Sequence, residues 1–561
     1  MSIRSALSKL SRRQREPTLE RAEETYAQGE KSTAAAMFRA LAGSGSAQAQ
    51  LRLAQMYERG EGVLQNFVEA VRWFRSAAAQ NSLPAITRLG EIYLTGLSAP
   101  HTASAAALAR LEEEADSDSL LKRLYPQGLA VPADPEQAAQ WNAIAAHAGD
   151  AAAQARLGHQ YATGMGVPRD PGTAERWFIE AARQEHSIGQ LGLGMLYAGV
   201  YGDTREHERA QEWFERSAAG GHSTAQLGLA MLLLSGEGIE HDASRAAELL
   251  ETAAHAGQPA AMFHLGELYR RGFGVEQNAS LAETWLRRAA TRGFIKARLS
   301  LVHLFRAGPE PDLNSAAVIC REAADLGDGE AQHLLGQLYL AGEGVPCDPL
   351  EAVRWIGLAA AQNVGPAALQ LGILYASGQH VAQDYELAAR FYALAGLQGV
   401  AAGDYNLAFL HFRGLGAPQD PTRGLKLLAN AAAAGSVEAA WALHRQYADG
   451  EFVQADPVQA MQWLARAAEL GDPDAQAGLA LAHFQGRHTP LNQEAALRWF
   501  TRAAQGGNAF AQAWLGDVLA RGQGLPADRE AAAAWYERAA LQGHAGAIAA
   551  LAAFRPTTAP R

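Results

Sequence analysis

Histidines, cysteines and glycine-rich turns are the residues of this chain whose types could support chemistry. Seventeen histidines are scattered over 561 residues without the His-Glu-x-x-His spacing of a zinc site. The paired glycines, such as Gly236 and Gly238, follow no strand and precede no Lys-Ser/Thr, so they indicate turns and not a phosphate-binding loop. Acidic runs such as Glu112–Glu114 are typical of a solvated face, and a serine nucleophile elbow is missing. The sequence therefore predicts no catalytic residue, no metal site and no cofactor, and the protein is not expected to be an enzyme.

Composition narrows the classes of partner. The formal net charge is -11, with 48 Lys+Arg against 59 Asp+Glu, which argues against nucleic acid because phosphate binding needs clustered cations. The two cysteines, Cys320 and Cys347, are too few for a disulfide scaffold. No apolar run is long enough to predict a transmembrane helix. Protein partners are the class that remains.

The first residues are basic and lack the apolar core of a signal peptide, so we expect a cytoplasmic protein, with a periplasmic or secreted location as the alternative. Residues 1–17 are interpreted as a basic N-terminal tail, either disordered or amphipathic. Apolar side chains at helical spacing within residues 3–15 allow weak contact with a membrane surface.

A phrase of about 36 residues recurs along nearly the whole chain, as Tyr-Ala-Thr-Gly-Met-Gly-Val (161–167) and Tyr-Leu-Ala-Gly-Glu-Gly-Val (339–345) illustrate. Within residues 150–185, apolar side chains at helical spacing predict a helix A that ends at Gly164, a turn, and a helix B from Pro171 to Arg183. No segment alternates as a strand does. Such a period predicts an all-α, right-handed superhelical α/α solenoid of about fifteen helix-turn-helix repeats with a C-terminal capping helix.

Large residues recur in register and predict the core. Helix A carries a tyrosine, or a substitute, at what we call the Tyr position, for example Tyr161 and Tyr339. Helix B carries a large aromatic that should fill the space between neighbouring helices. The tryptophans assigned this structural role are Trp73, Trp141, Trp177, Trp213, Trp285, Trp355, Trp463, Trp499 and Trp535.

A glutamine recurs seven residues before the Tyr position, as at Gln154 and Gln332. One interpretation is a polar ladder that grips an extended peptide. The favoured interpretation is structural, with each amide hydrogen-bonded to a neighbouring loop or helix end, because buried amides need partners.

Trp73 and Trp141 are almost two periods apart, which predicts a degenerate unit at 97–135 with a second helix near 103–115. The repeat solenoid is expected over 18–544, followed by a capping helix at 545–555 and a disordered tail at 556–561.

The pattern Ala-Gln-x-x-Leu-Gly-x-x-Tyr-x-x-Gly-x-Gly-Val, followed by Asp-x-x-x-Ala-x-x-Trp-Phe-x-x-Ala-Ala-x-x-Gly, resembles the Sel-one-like repeat family, a branch of the tetratricopeptide-like helical repeats. The resemblance covers roughly residues 18 to 555. It implies a scaffold or adaptor in bacterial signalling or in envelope or exopolysaccharide assembly, which binds other proteins through the concave face lined by the A helices. The resemblance also leaves open a periplasmic exopolysaccharide-export scaffold or a secreted host-interaction factor. A hydrolase hidden in 97–135 is a minor alternative.

Partner-binding residues are sought two positions before the Tyr position, where side chains vary most between repeats. Apolar residues cluster there, and further aromatic residues lie beside the second cluster, in 370–445. Aromatic anchors are what interface hot spots use, although the same side chains could fill local gaps in the core. The predicted partner-binding set is Met195, Met231, Ile373, Tyr405, Phe409, Phe412 and Trp441.

Overall fold

The computed structural model describes residues 17–97, 130–202, 205–307, 310–523 and 525–554. In these residues the regular structure is α-helical, apart from an isolated β-bridge between Leu97 and Val131. Twenty-nine helices form fourteen packed pairs and a final single helix. The predicted all-α repeat fold of stacked helix pairs is confirmed.

The chain divides into two compact units, Met1–Phe294 and Ile295–Arg561, with seven helix pairs in each. We number the described helices in chain order, so that odd numbers are A helices and even numbers are B helices. Unit 1 contains α1 (Leu19–Ala27), α2 (Lys31–Gly43), α3 (Ala47–Arg59), α4 (Phe67–Ala78), α5 (Leu83–Thr95), α6 (Pro135–His147), α7 (Ala151–Thr163), α8 (Pro171–Arg183), α9 (Ser187–Tyr197), α10 (His207–Ala219), α11 (Ser223–Ser235), α12 (Ala243–His255), α13 (Pro259–Arg271) and α14 (Ala279–Thr291).

Unit 2 continues the same alternation of A and B helices. It contains α15 (Ile295–Arg306), α16 (Leu313–Asp325), α17 (Gly329–Ala341), α18 (Pro349–Ala361), α19 (Gly365–Ser377), α20 (Tyr385–Leu397), α21 (Ala401–Arg413), α22 (Pro421–Ala433), α23 (Val437–Asp449), α24 (Pro457–Glu469), α25 (Pro473–Gln485), α26 (Gln493–Gln505), α27 (Ala509–Arg521), α28 (Arg529–Leu541) and α29 (Ala545–Phe554). The helix α29 stands where the capping helix is predicted, and it packs against α28.

Local sequence sets the helix ends as predicted. The Asp170 carboxylate accepts the backbone N–H groups of Gly172 and Thr173 at the start of α8. At the end of α7, Gly164 adopts a left-handed conformation with φ of 80°, which glycine reaches without the cost that a Cβ imposes. The Asp170 backbone N–H also donates to the Tyr161 carbonyl at 2.9 Å, which fixes the turn between A and B.

The residue after each helix B tryptophan, and not the tryptophan itself, is the deepest part of the core. Phe178 is fully buried between α7 and α9. A Cβ at Gly158 or at Gly192 would lie 2.7 Å or 2.4 Å from its ring, so these glycines make room for it. The same site holds Phe74 in an earlier repeat and Phe500 in a later one, both fully buried.

The nine predicted structural tryptophans border this core. Trp285 and Trp355 are buried, whereas the other seven are half-buried. An arginine three residues later often stacks on the open face of the indole, as Arg216 does on Trp213 at 4.6 Å. Large indoles are seldom fully buried, and here the guanidinium groups complete their packing.

The third helix pair differs from the predicted register. Helices α5 and α6 pack on each other as a regular A–B pair. The Asp134 N–H donates to the Tyr93 carbonyl at 2.7 Å, as in other repeats, and Leu97 and Val131 exchange backbone hydrogen bonds of 2.8 Å. Residues 98–129 therefore lie, in the sequence, between the two helices of one pair. The predicted unit 97–135 contributes no pair of its own to the described residues, and its predicted helix at 103–115 lies outside them, as do the tails 1–16 and 555–561.

No helix of the described residues is both long enough and apolar enough to cross a membrane.

Candidate interaction surface on the A helices

The A helices present a common face built from a few positions of the repeat. Four positions of each A helix follow helical spacing and lie along one stripe. Counted from the Tyr position, they are nine residues before it, six or five residues before it, two residues before it, and one residue after it. Some successive A helices also contact one another directly, as α7 does with α9 and α19 with α21. No two B helices in the described part of the chain pack as closely. Stripes on neighbouring A helices therefore lie side by side, and we call the combined surface the A face.

In the first repeats of unit 1, ion pairs occupy the A face. Arg52 pairs with Glu23 at 2.8 Å, and Arg156 pairs with Glu91 at 2.9 Å. Arg88 binds both Glu58 and Glu91, so it links helix α3 to α5. These cations already have carboxylate partners within the chain, and this part of the A face has its charges satisfied.

The two predicted methionines lie on neighbouring A helices but do not share an open patch. Met231 on α11 is 40% exposed. Met195 on α9 is half-buried, and the Tyr201 hydroxyl donates to its sulfur at 3.4 Å. That hydroxyl also lies 3.2 Å from Nδ1 of His159, whose pKa is lowered by burial. The loop that carries Tyr201 thus contacts the A face beside Met195.

Unit 2 carries a denser apolar surface. Tyr405 and Phe409 lie on one side of α21 and pack edge to face, with ring centroids 4.9 Å apart. On the next A helix, the indole N–H of Trp441 donates to Asp472 at 3.1 Å, which fixes the ring across the groove between α23 and α25. On the preceding A helix, Ile373 is 46% exposed. We call Ile373, Tyr405, Phe409 and Trp441 the aromatic patch.

Phe412 does not belong to this patch, because its side chain is only 1% exposed. Its ring stacks on Phe452 at 5.0 Å and points between α21 and α22. The space exists because position 424 is glycine, and a Cβ there would lie 2.9 Å from the ring. Phe412 is thus a core residue and not, as predicted, part of a partner-binding surface.

Three aromatic residues that the sequence analysis did not single out continue the A face. Phe484 on α25 and Phe510 on α27 are each 44% exposed. Trp514 lies next to Phe484, with centroids 5.8 Å apart, and stacks on the buried Phe500 at 4.0 Å. Phe484 stands one residue after the Tyr position of its repeat, and Phe510 and Trp514 stand nine and five residues before theirs. All three positions belong to the same stripe, so the spacing of the repeat was enough to predict them.

The groups that could do chemistry are held in structural surroundings. Burial raises the pKa of Cys320 to about 12, which keeps its thiol neutral. Cys347 is exposed, and its thiol donates to the Leu340 carbonyl at 3.5 Å. Among the described residues, no three His, Cys, Asp or Glu side chains come together as a metal ion would require. A cavity of about 720 Å³ beside α3 and α5 is lined by Glu58 and Arg88, which bind each other.

Comparison with known proteins places these features in context. The sequence profile of the Sel1 repeat matches thirteen segments, and two of them, 83–106 and 123–150, extend from the third pair into residues 98–129. The matched residues are 47–82, 83–106, 123–150, 151–186, 187–222, 223–258, 259–294, 329–364, 365–400, 401–436, 439–472, 473–508 and 509–544. No curated protein matches the chain by sequence.

Crystal structures with the same repeat are similar to this chain. A protective antigen of uropathogenic Escherichia coli strains, which has an SLR fold, is 25% identical with a TM-score of 0.50, over 94% of this chain and 98% of that one. A Sel1 repeat protein from Oxalobacter formigenes is 28% identical with a TM-score of 0.39, over 63% of this chain and 92% of that one.

Proposed function

Since this chain belongs to the Sel1 repeat family, whose members generally mediate protein–protein interaction, we propose that it is a non-enzymatic scaffold that binds a partner protein through the A face of unit 2. The aromatic patch supplies the anchors of this contact. Helical-repeat proteins share a shape and not a chemistry, so the assignment depends on this surface and not on the fold alone.

One contrast supports the proposal. The same stripe that is filled with mutually paired ions in the first repeats of unit 1 is apolar and partly open on α19, α21 and α23. Exposing large apolar side chains side by side has a cost in water, whereas a partner that covers them recovers the hydrophobic free energy. Tyrosine and tryptophan are also the residues that dominate binding energy in protein interfaces.

We propose bacterial signalling, or assembly of envelope or exopolysaccharide machinery, in the cytoplasm as the setting of this scaffold. A secreted host-interaction factor is a second candidate, which the likeness to an antigen of uropathogenic Escherichia coli supports. Cell fractionation distinguishes them, because recovery of the protein outside the cytoplasm would favour the second.

Affinity capture with the intact protein tests the scaffold proposal. The double variant Phe409→Ala/Trp441→Ala removes two anchors of the patch. Phe273→Ala is the control, because Phe273 is an aromatic residue, 44% exposed, that lies in a loop of unit 1. We expect the same partner to be captured by the wild type and the control and to be lost from the double variant. Equal capture by all three proteins, with helicity unchanged by circular dichroism, would contradict the proposal.

A further inference from the structure

An exposed arginine stands within the aromatic patch. Arg445 follows Trp441 by four residues on α23, so both side chains lie on the same side of the helix. It occupies the position of the repeat that Phe409 occupies on α21, the preceding A helix. The patch therefore presents a guanidinium group next to two large aromatic rings.

Arg445 makes no ion pair with any residue that the structure describes, unlike Arg52, Arg88 and Arg156 on the A face of unit 1. Three carboxylates on or next to α23 do not pair with it. Glu438 accepts the hydroxyl of Ser436 at 2.9 Å, and Asp472 accepts both the Trp441 indole and the Ala475 N–H. Asp449, one turn further along α23, does not lie within ion-pair distance of Arg445.

A second cation of the same kind lies nearby. Arg413, at the end of α21, is exposed and has no ion pair within the described part of the chain. An unpaired guanidinium beside apolar rings offers planar, bidentate recognition to a carboxylate, which is held more strongly as the rings exclude water around it. The protein as a whole is acidic, with a net charge of -11.

We propose that the partner segment recognised by the aromatic patch is an acidic–apolar peptide. One or two large apolar side chains pack against Tyr405, Phe409 and Trp441, and a neighbouring aspartate or glutamate binds Arg445. This inference rests on the proposed function and adds the chemistry of the partner.

Selection from a random-peptide phage library on the intact protein tests the inference. The wild type is expected to enrich peptides that combine large apolar residues with Asp or Glu a few positions away. Arg445→Glu is expected to weaken those peptides about tenfold, and replacing their acidic residue with lysine should restore binding to the variant. Arg59→Glu is the control, because Arg59 is an exposed arginine of unit 1 and the substitution changes the net charge equally.

The outcomes separate the two proposals. Peptides that need Phe409 and Trp441 but show no acidic preference, or bind Arg445→Glu as well as the wild type, would overturn the acidic–apolar partner and leave the scaffold proposal intact. Peptides that bind the Phe409→Ala/Trp441→Ala variant as tightly as the wild type would overturn both.

Discussion

The side-chain amide of Gln362 donates a 2.8 Å hydrogen bond to the side-chain oxygen of Gln332. Gln332 in turn donates to the Ala324 carbonyl at 3.2 Å, so it joins the end of one B helix to the end of the next. Equivalent bonds link Gln184 to Gln154. The recurring glutamine therefore connects consecutive repeats through side-chain hydrogen bonds, and its predicted structural role is confirmed.

Gln226 does not accept the corresponding hydrogen bond from the next repeat, and this leads to a prediction about stability. Its side-chain oxygen is buried without a partner, because position 256 holds alanine where Gln184 and Gln362 supply the donor in their repeats. We expect Ala256→Gln to supply the missing donor and to stabilise unit 1 by about 1 kcal/mol in urea unfolding. Ala256→Glu is nearly isosteric but cannot donate when ionised, so equal stabilisation by both substitutions would disprove the explanation.

His222 begins α11 without a side-chain cap, and this makes unit 1 sensitive to acid. Its Nδ1 is buried without a partner, and burial lowers its pKa. The unfolded chain therefore binds a proton at higher pH than the folded chain, and stability should be lost as pH falls through about 6.5. At the equivalent position, Asp328 caps α17 at 2.7 Å.

The substitution His222→Asp tests this account of the N-cap. It is expected to stabilise the protein by about 1 kcal/mol at pH 7 and to remove part of the loss between pH 7 and 5. Thermal unfolding followed by circular dichroism at several pH values measures both effects. A parallel pH profile for the wild type and the variant would show that His222 does not titrate as described.

Asp404 predicts the opposite dependence on pH in unit 2. On α21 it occupies the position that the recurring glutamine holds in other repeats, seven residues before the Tyr position, and burial raises its pKa. The folded chain then holds this proton more tightly than the unfolded chain, so stability falls as pH rises above about 4. Asp404→Asn should stabilise the protein at pH 7.5, and this advantage should shrink as pH approaches 4.5. An advantage that stays constant over that range would contradict the assignment.

Phe409 and Phe412 have different roles although they are three residues apart. Because Phe412 is enclosed by Phe452 and by the space at Gly424, Phe412→Ala should cost about 3–5 kcal/mol of folding free energy. Phe409→Ala removes a half-buried ring and should cost clearly less. Urea unfolding of the two variants measures the difference. Similar losses would place Phe409 in the core and would remove it from the patch.

Much of the fold follows from the sequence because the repeat constrains each residue locally. Gly164, Asp170 and the Tyr position act within one helix pair, so their spacing is enough to locate helices and turns. The insertion at 98–129 is different. Spacing between Trp73 and Trp141 predicts an extra unit, and only the packing of α5 on α6 shows that these two helices form one pair.

The candidate site was predicted in part for a similar reason. Ile373 and Phe409 follow from one position of the repeat, two residues before the Tyr position. The direction of Phe412 depends on the missing Cβ at Gly424, which belongs to another helix. Phe484 and Trp514 hold other positions of the same stripe. They become neighbours only when the A helices that carry them pack side by side.

Radical footprinting of the intact protein, alone and with its captured partner, shows whether the A face of unit 2 is the surface that the partner covers. Oxidation reports side-chain exposure, so Tyr405, Phe409 and Trp441 should be protected in the complex, while Phe273 in unit 1 should be unchanged. Protection confined to unit 1 or to the B helices, with Tyr405, Phe409 and Trp441 as reactive as in the free protein, would contradict a binding role for the A face of unit 2.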